Sequence, residues 1–373
     1  MSRQVARLDE SWEKELVRGG AETVWRCYQC ATCSSVCQLA PPGSPFPRRQ
    51  MLLAQWGEID RLAADPAVWL CHQCNDCTVR CPRDARPGDV MQSLRARAVE
   101  RLATPARLGR LVGAARWSWP LLLGLPLLFW LAVLYALGRL PDIPRVPIGQ
   151  LIYGEVVPHW LIYLVYIPLA GLAALAAGTS AWRFWNGLEG AKERRGSFLA
   201  AAAGALWDIA THKRFAKCEA AAPRRWGHFW LMWGFVGALV ATTLAIVALY
   251  LMNEYPLPLG HPFKWVGNLA AAMLLVGGIL VLGYRLKEDS QAGRATAYDN
   301  FFLATVLLVI ASGILTEAGR FAFRPGVAVG IYLVHLGSIF TLFATFPYSK
   351  FIHFVYRTLA LIHEKMTEKK AAG

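Results

Sequence analysis

Polar and apolar positions divide this chain in two. Residues 1–115 are densely charged and proline-rich. From Trp117 onward, apolar runs of about twenty residues recur, each long enough to cross the hydrocarbon core of a bilayer. Six spans are predicted, at 117–138, 159–182, 228–251, 264–284, 299–322 and 328–349. A further apolar stretch near 198–218, FLAAAAGALWDIATHKRFAKC, is interrupted by Asp208, His212 and Lys213. It reads as an amphipathic helix lying in the interface rather than a seventh span. The polar part shows no alternating strand pattern. Its segment PFPRRQMLLAQWGEIDRLAADPAVWL places Met51, Leu52, Trp56 and Ile59 on one helical face, and DVMQSLRARAVERLA is helical too. The expected fold is all-α, a helical domain over 1–110 followed by a six-span bundle over 111–373.

Charge orients the bundle. A net charge of +14 would suit nucleic acid, but the basic residues sit between apolar runs and no nucleic-acid partner is expected. The 183–227 connection carries Arg183, Lys192, Arg194, Arg195, Lys213, Arg214, Lys217, Arg224 and Arg225, the 285–298 connection adds Arg285, Lys287 and Arg294, and the tail adds Lys350, Arg357, Lys365, Lys369 and Lys370. The alternate loops hold few cations, which is the positive-inside pattern. The opening MSRQVARLDESWEKEL lacks the apolar core of a signal peptide. Both termini and the polar domain are therefore expected on the cytoplasmic side of the inner membrane.

Eight of the nine cysteines fall in two runs, CYQCATCSSVC from Cys27 and CHQCNDCTVRCP from Cys71. Each is C-x2-C-x2-C-x3-C, and Pro82 completes the second as the bacterial ferredoxin run, whereas Gln38 stands at the matching place in the first. Three thiolates two residues apart wrap one face of a cubane. The fourth is carried off on the following turn and, in two-cluster proteins, ligates the other cluster. The spacing thus assigns one 4Fe–4S cluster to Cys27, Cys30, Cys33 and Cys81, and the other to Cys71, Cys74, Cys77 and Cys37. The polar domain is accordingly expected to be ferredoxin-like and two-cluster. Zinc would leave the third cysteine of each run idle, and disulfides are disfavoured in a reducing compartment. Cys218, a lone thiol in a basic loop, is expected to be structural, and His72 to tune the cluster whose run contains it.

His335 and His353 are eighteen residues apart, five whole turns, so a single helix would carry both imidazoles on one face about 27 Å apart. Such a helix suits a ladder of two b haems, each needing a second axial histidine at matching depth, although Pro347 lies between them and can bend it. His228 opens the third span level with His353 and is its expected partner. His159 opens the second span on the far side and is expected to pair with His335, with His261 in the loop PLPLGHPFKW as competitor. His261 and His363 also suit ordinary interfacial anchoring, and His212 lies too shallow to pair with His353. Glu317 and Arg320, spaced to pair at i,i+3, and Lys350 are candidates for a quinone site. A snorkelling ion pair and a phospholipid contact are the plainer readings of them. No other catalytic residue is expected.

Neither a G-x-G-x-x-G fingerprint nor a P-loop is present, so the chain reads as electron wiring within a larger complex. Its two cysteine runs resemble those of the small iron–sulfur subunit of heterodisulfide reductase. The membrane half, ending HLGSIFTLFATFPYSKFIHFVYR, resembles the cytochrome b family of the heterodisulfide reductase membrane subunit and the nitrate reductase gamma subunit. In gamma subunits the last span carries two haem-ligating histidines at this separation, matched by His335 and His353. An earlier span supplies their partners ten residues apart; here His228 matches one, and Ala238 stands at the other. The two halves joined in one chain resemble the C subunits of quinone-interacting membrane-bound oxidoreductase complexes. That resemblance implies soluble flavin- and iron–sulfur-containing partner subunits, APS reductase beyond them, and electron passage between menaquinone and those partners through b haems. The alternatives are a heterodisulfide-reductase-type subunit serving another soluble reductase, and a redox-sensing or anchoring membrane protein.

Overall fold

The computed structural model describes residues 12–41, 45–188, 190, 193–218, 222–287 and 293–367. Residues 1–11, on which the signal-peptide reading rests, lie outside them. Every regular element among the described residues is a helix. The N-terminal part consists of short helices because its sequence keeps interrupting them. The expected linker helix is three, Arg48–Gln55, Ile59–Ala63 and Ala67–Leu70. Gly57, at φ +71°, and Pro66 separate them. The break resets the apolar face: Met51 and Ile59 are buried, but Trp56 is 53% exposed. The longest helix here, Pro87–Leu102, starts on a proline, whose missing N–H costs nothing in the first turn.

Six helices are long and apolar enough to cross a membrane: Arg116–Ala136, His159–Gly187, Arg224–Met252, Pro262–Leu286, Ala297–Ala322 and Pro325–Thr345. The third and fourth approach until backbones touch. A Cβ on Gly277 would stand 2.6 Å from the Leu231 nitrogen, and one on Gly234 would stand 2.9 Å from that of Leu274. Small residues permit this contact where lipid supplies no hydrophobic drive between helices. Phe198–Ala210, at 13 residues, is too short to span, and it lays Ala201 and Ala205 inward.

His335 and His353 do not share a helix. The sixth span ends at Thr345, a 3-10 turn covers Lys350–Ile352, and a new helix runs His353–Thr367. Pro347 cannot continue the hydrogen-bond ladder, and the Ser349 hydroxyl accepts the Phe351 N–H to start the turn (3.3 Å). The five-turn register therefore does not apply.

One apolar core joins the cysteine domain to the membrane part. Trp69 stacks on Tyr356 at 4.7 Å and meets Phe184 edge-on at 6.2 Å, and all three are buried. Asp299, which caps the fifth span through Thr296, also accepts from Gln92 of the cysteine domain and from Lys350 at 2.8 Å. A fragment ending at residue 110 is consequently expected to aggregate or lose its iron on gel filtration. It would forfeit the partners of a buried tryptophan, a loss of about 3–5 kcal/mol by analogy with large-to-small core changes.

Candidate electron-transfer site

The two cysteine runs fold alike. Gln29 and Ala31 adopt left-handed φ of 59° and 71°, and the matching Gln73 and Asn75 adopt 52° and 67°. These reversals curl the chain round two small spaces of about 20 Å³ each. Cys27, Cys30, Cys33 and Cys81 line one; Cys71, Cys74, Cys77 and Cys37 line the other. Each fourth cysteine thus stands with the opposite run. The Gln73 and Ala85 amides donate to the sulfurs of Cys71 and Cys81, both at 3.3 Å. Burial, with neighbouring thiolates, pushes Cys33 and Cys37 up to about 11 and Cys77 well above the usual thiol value. Sulfurs so reluctant to ionise together fit a cationic iron core. Among the described residues no three His, Cys, Asp or Glu side chains converge on one ion. A cubane spreads its four thiolates over four irons, whereas zinc draws them to one point.

His228 and His353 come together, with ring centroids 5.9 Å apart. Two imidazoles bonded to one metal at about 2 Å each have centroids about 6 Å apart. His353 Nδ1 lies 2.7 Å from the Lys350 carbonyl, which can only accept, so the proton is on Nδ1 and Nε2 keeps its lone pair. Burial, with Arg357 close by, brings His353 down to about 3, holding it neutral. His228 Nδ1 lies 2.9 Å from His212 Nε2. With Nδ1 as the donor of this bond, His228 would likewise keep its Nε2 lone pair, the orientation ligating histidines receive from a second hydrogen-bond partner. His212 is therefore not too shallow to matter; it orients His228.

The other proposed pair does not form. His335 Nδ1 meets the Ser312 hydroxyl at 3.0 Å, and its ring lies over Gly313. Tyr166, whose hydroxyl donates to the Leu336 carbonyl at 2.6 Å, marks its level on the second span. His159 is seven residues before Tyr166, about 10 Å along the axis, and packs against Tyr255 instead. Matching span ends did not mean matching depth. His261 caps the fourth span and sits 3.2 Å from Glu254.

Glu317 pairs with Lys264 at 2.6 Å rather than with Arg320. All three line a cavity of about 320 Å³ at the end of the bundle opposite the cysteine domain, together with His159, Tyr255 and the apolar Ile246 and Leu249. Glu317 Oε1 and Arg320 Nε are buried there with no hydrogen-bond partner among the described residues. Lys350 is at the other end, held by Asp299.

The sequence reading missed the groups that tie these parts together. Arg224 donates to the His72 carbonyl and, at 2.7 Å, to that of Gln73. Arg357 donates to the carbonyls of Trp69 at 3.0 Å and Cys71 at 2.8 Å. Each stands four residues from a histidine, His228 and His353, a spacing visible in the sequence. Phe215 fills the gap, 5.0 Å from the His72 ring and 6.2 Å from that of His228. Cys218 is buried against Cys74, not isolated in a loop.

Comparison with known proteins finds two separate family matches along the chain. The family model for citrate utilization protein B matches residues 109–373, most of the chain. The chain belongs to the citrate utilization protein B family. A 4Fe-4S dicluster domain model matches residues 26–86, so an iron–sulfur electron-transfer domain precedes the membrane part. Citrate utilization protein B of Escherichia coli is 29% identical over 357 residues, covering 92% of this chain and 83% of that protein. The N-terminal part alone is similar to two archaeal proteins. It is 32% identical over 91 residues to the C subunit of the H(2):CoB-CoM heterodisulfide,ferredoxin reductase of Methanothermobacter thermautotrophicus, covering 24% of this chain and 48% of that one. The C-subunit-like heterodisulfide reductase protein of Archaeoglobus profundus is 34% identical over 94 residues, covering 25% of this chain and 50% of that one. The chain thus spans about half the length of these two. No solved structure matches.

Proposed function

We propose that this chain is the membrane electron-transfer subunit of a larger oxidoreductase complex. It passes electrons between the menaquinone pool and soluble flavin- and iron–sulfur-containing subunits. The route is a b haem held by His228 and His353, then two 4Fe–4S clusters, one on Cys71, Cys74, Cys77 and Cys37 and the other on Cys27, Cys30, Cys33 and Cys81. The carrying observation is that the helices bearing His228 and His353 also grip the second cysteine loop, through Arg224 and Arg357. When bound, haem and clusters supply reversible one-electron transfer; the chain holds them at fixed separation. Among the described residues His335 has no histidine in contact; a second haem held there, with a different second ligand, would bridge the far end of the bundle to the first. The functional division is a cluster domain over 1–110 and a cytochrome b domain over 111–373. The cluster domain lies in the cytoplasm, as do both termini, because Arg183, Arg224 and Lys350 gather at its end of the bundle.

The quinone site is the cavity at the opposite end, where apolar walls meet His159, Lys264, Glu317 and Arg320. Glu317 accepts the quinol proton there. Glu317→Gln is expected to slow quinol-driven haem reduction about 10²-fold, the usual worth of a general base, with haem and iron contents unchanged. Stopped-flow absorbance with a menaquinol analogue measures it, and an unaltered rate would move the site elsewhere.

Fusion of the two halves suggests the quinone-interacting complexes and APS reductase as partner. The E. coli relative shares the fusion and is named for citrate utilization, which favours a soluble partner acting in that process. Co-purification from native membranes decides: APS reductase supports the first partner, and an oxidoreductase acting on a tricarboxylate supports the second. A purified chain with neither haem nor iron would overturn the electron-transfer reading.

A further inference from the structure

The two cysteine sites differ in their surrounding charge. Around the second run, three arginines with partly buried side chains point at backbone carbonyls. Arg357 reaches Trp69 and Cys71, Arg224 reaches His72 and Gln73, and Arg95 reaches Val68 and Cys71 at 2.8 and 2.9 Å. None of the three has a carboxylate partner among the described residues, although Asp76 also lines this site and offsets part of their charge. Arg95 and Arg357 both reach the Cys71 carbonyl, so the site concentrates positive charge. Around the first run the cations face water. Arg48 is exposed, Arg83 lies over the 70%-exposed Tyr28, and Arg26 is matched by Asp84 at 3.1 Å.

We infer that the arginines of the membrane helices make the cluster of the second run the higher-potential member of the pair. This rests on the electron-transfer reading. Reduction adds one negative charge to a cluster, and a fixed cation stabilises that charge more when buried than when screened by solvent. Two of the cations, Arg224 and Arg357, belong to the helices that present His228 and His353, one turn away on the same side. An electron leaving that histidine pair therefore meets the more oxidising cluster first and is held there until a soluble partner draws it through the first. Both arginines are positioning residues: they touch the loop, not the iron.

The test is a potentiometric titration of the full-length, detergent-solubilised protein, followed by electron paramagnetic resonance with dithionite as reductant. Variants Cys37→Ser and Cys81→Ser, each missing one signal, assign the two. The signal absent from Cys37→Ser is expected to titrate at the higher potential. Arg357→Gln should lower its reduced-to-oxidised ratio at least tenfold at a fixed potential, about 59 mV for one electron, and leave the other signal in place. Arg357→Lys, which keeps the charge, should recover most of that shift; a merely structural arginine would change occupancy without moving the potential. The inference falls if the second signal titrates at or below the first, or if Arg357→Gln moves both signals equally or neither. Should Arg357→Gln lose the cluster, the order of the two wild-type potentials decides alone. Absence of both signals would instead overturn the electron-transfer reading itself.

Discussion

Replacing Cys37 with serine is expected to abolish the cluster of the other run. Cys37 belongs by sequence to the run that starts at Cys27, yet it shares its cavity with Cys71, Cys74 and Cys77. A hydroxyl is a poor substitute for thiolate at iron, so total iron should fall by about half, the share of one cubane in a two-cluster protein. The surviving signal should be the one lost in Cys81→Ser. Iron determination with low-temperature resonance spectra checks both variants. If Cys37→Ser instead damaged the cluster on Cys27, Cys30 and Cys33, each run would be self-contained and the crossed ligation would be wrong.

His353→Ala is expected to remove the b-type absorption of the haem it shares with His228 while leaving the iron–sulfur signals. The haem would lose an axial ligand fixed in tautomer by the Lys350 carbonyl. The loop on Cys71 stays held by Arg357, one turn further on. His212→Ala should be milder, weakening haem affinity about 10–100-fold, as loss of a ligand's hydrogen-bond partner does. His335→Ala should leave this haem in place and remove only the absorption that a second haem adds. The pyridine haemochrome assay reads all three, and a full haem complement in His353→Ala would end the assignment.

The three sulfurs of each run that share a space could be read from the chain because their geometry is local; the fourth, from the other run, was legible only through the two-cluster ferredoxin pattern. The apolar helices could be read because composition alone decides whether a segment tolerates lipid. The histidines were harder, since depth depends on where each helix begins and how it tilts. His228 and His353 meet although the helix expected to carry His353 breaks at Pro347. His159 and His335 fail to meet although both belong to helices of the predicted bundle. Arg224 and Arg357 were counted only as loop charge, because nothing in a sequence marks a cation whose partners are carbonyls more than a hundred residues away.

The packing of Trp69 against Tyr356 and Phe184 also sets an order of synthesis. The eight clustered cysteines leave the ribosome long before residue 356 does. At about 5–20 residues per second, they wait on the order of tens of seconds without the helix that completes their core. Their iron must therefore arrive late, or be guarded by another protein, until the last helix folds back. Maturation of the cysteine domain thus waits on the helix that carries Tyr356.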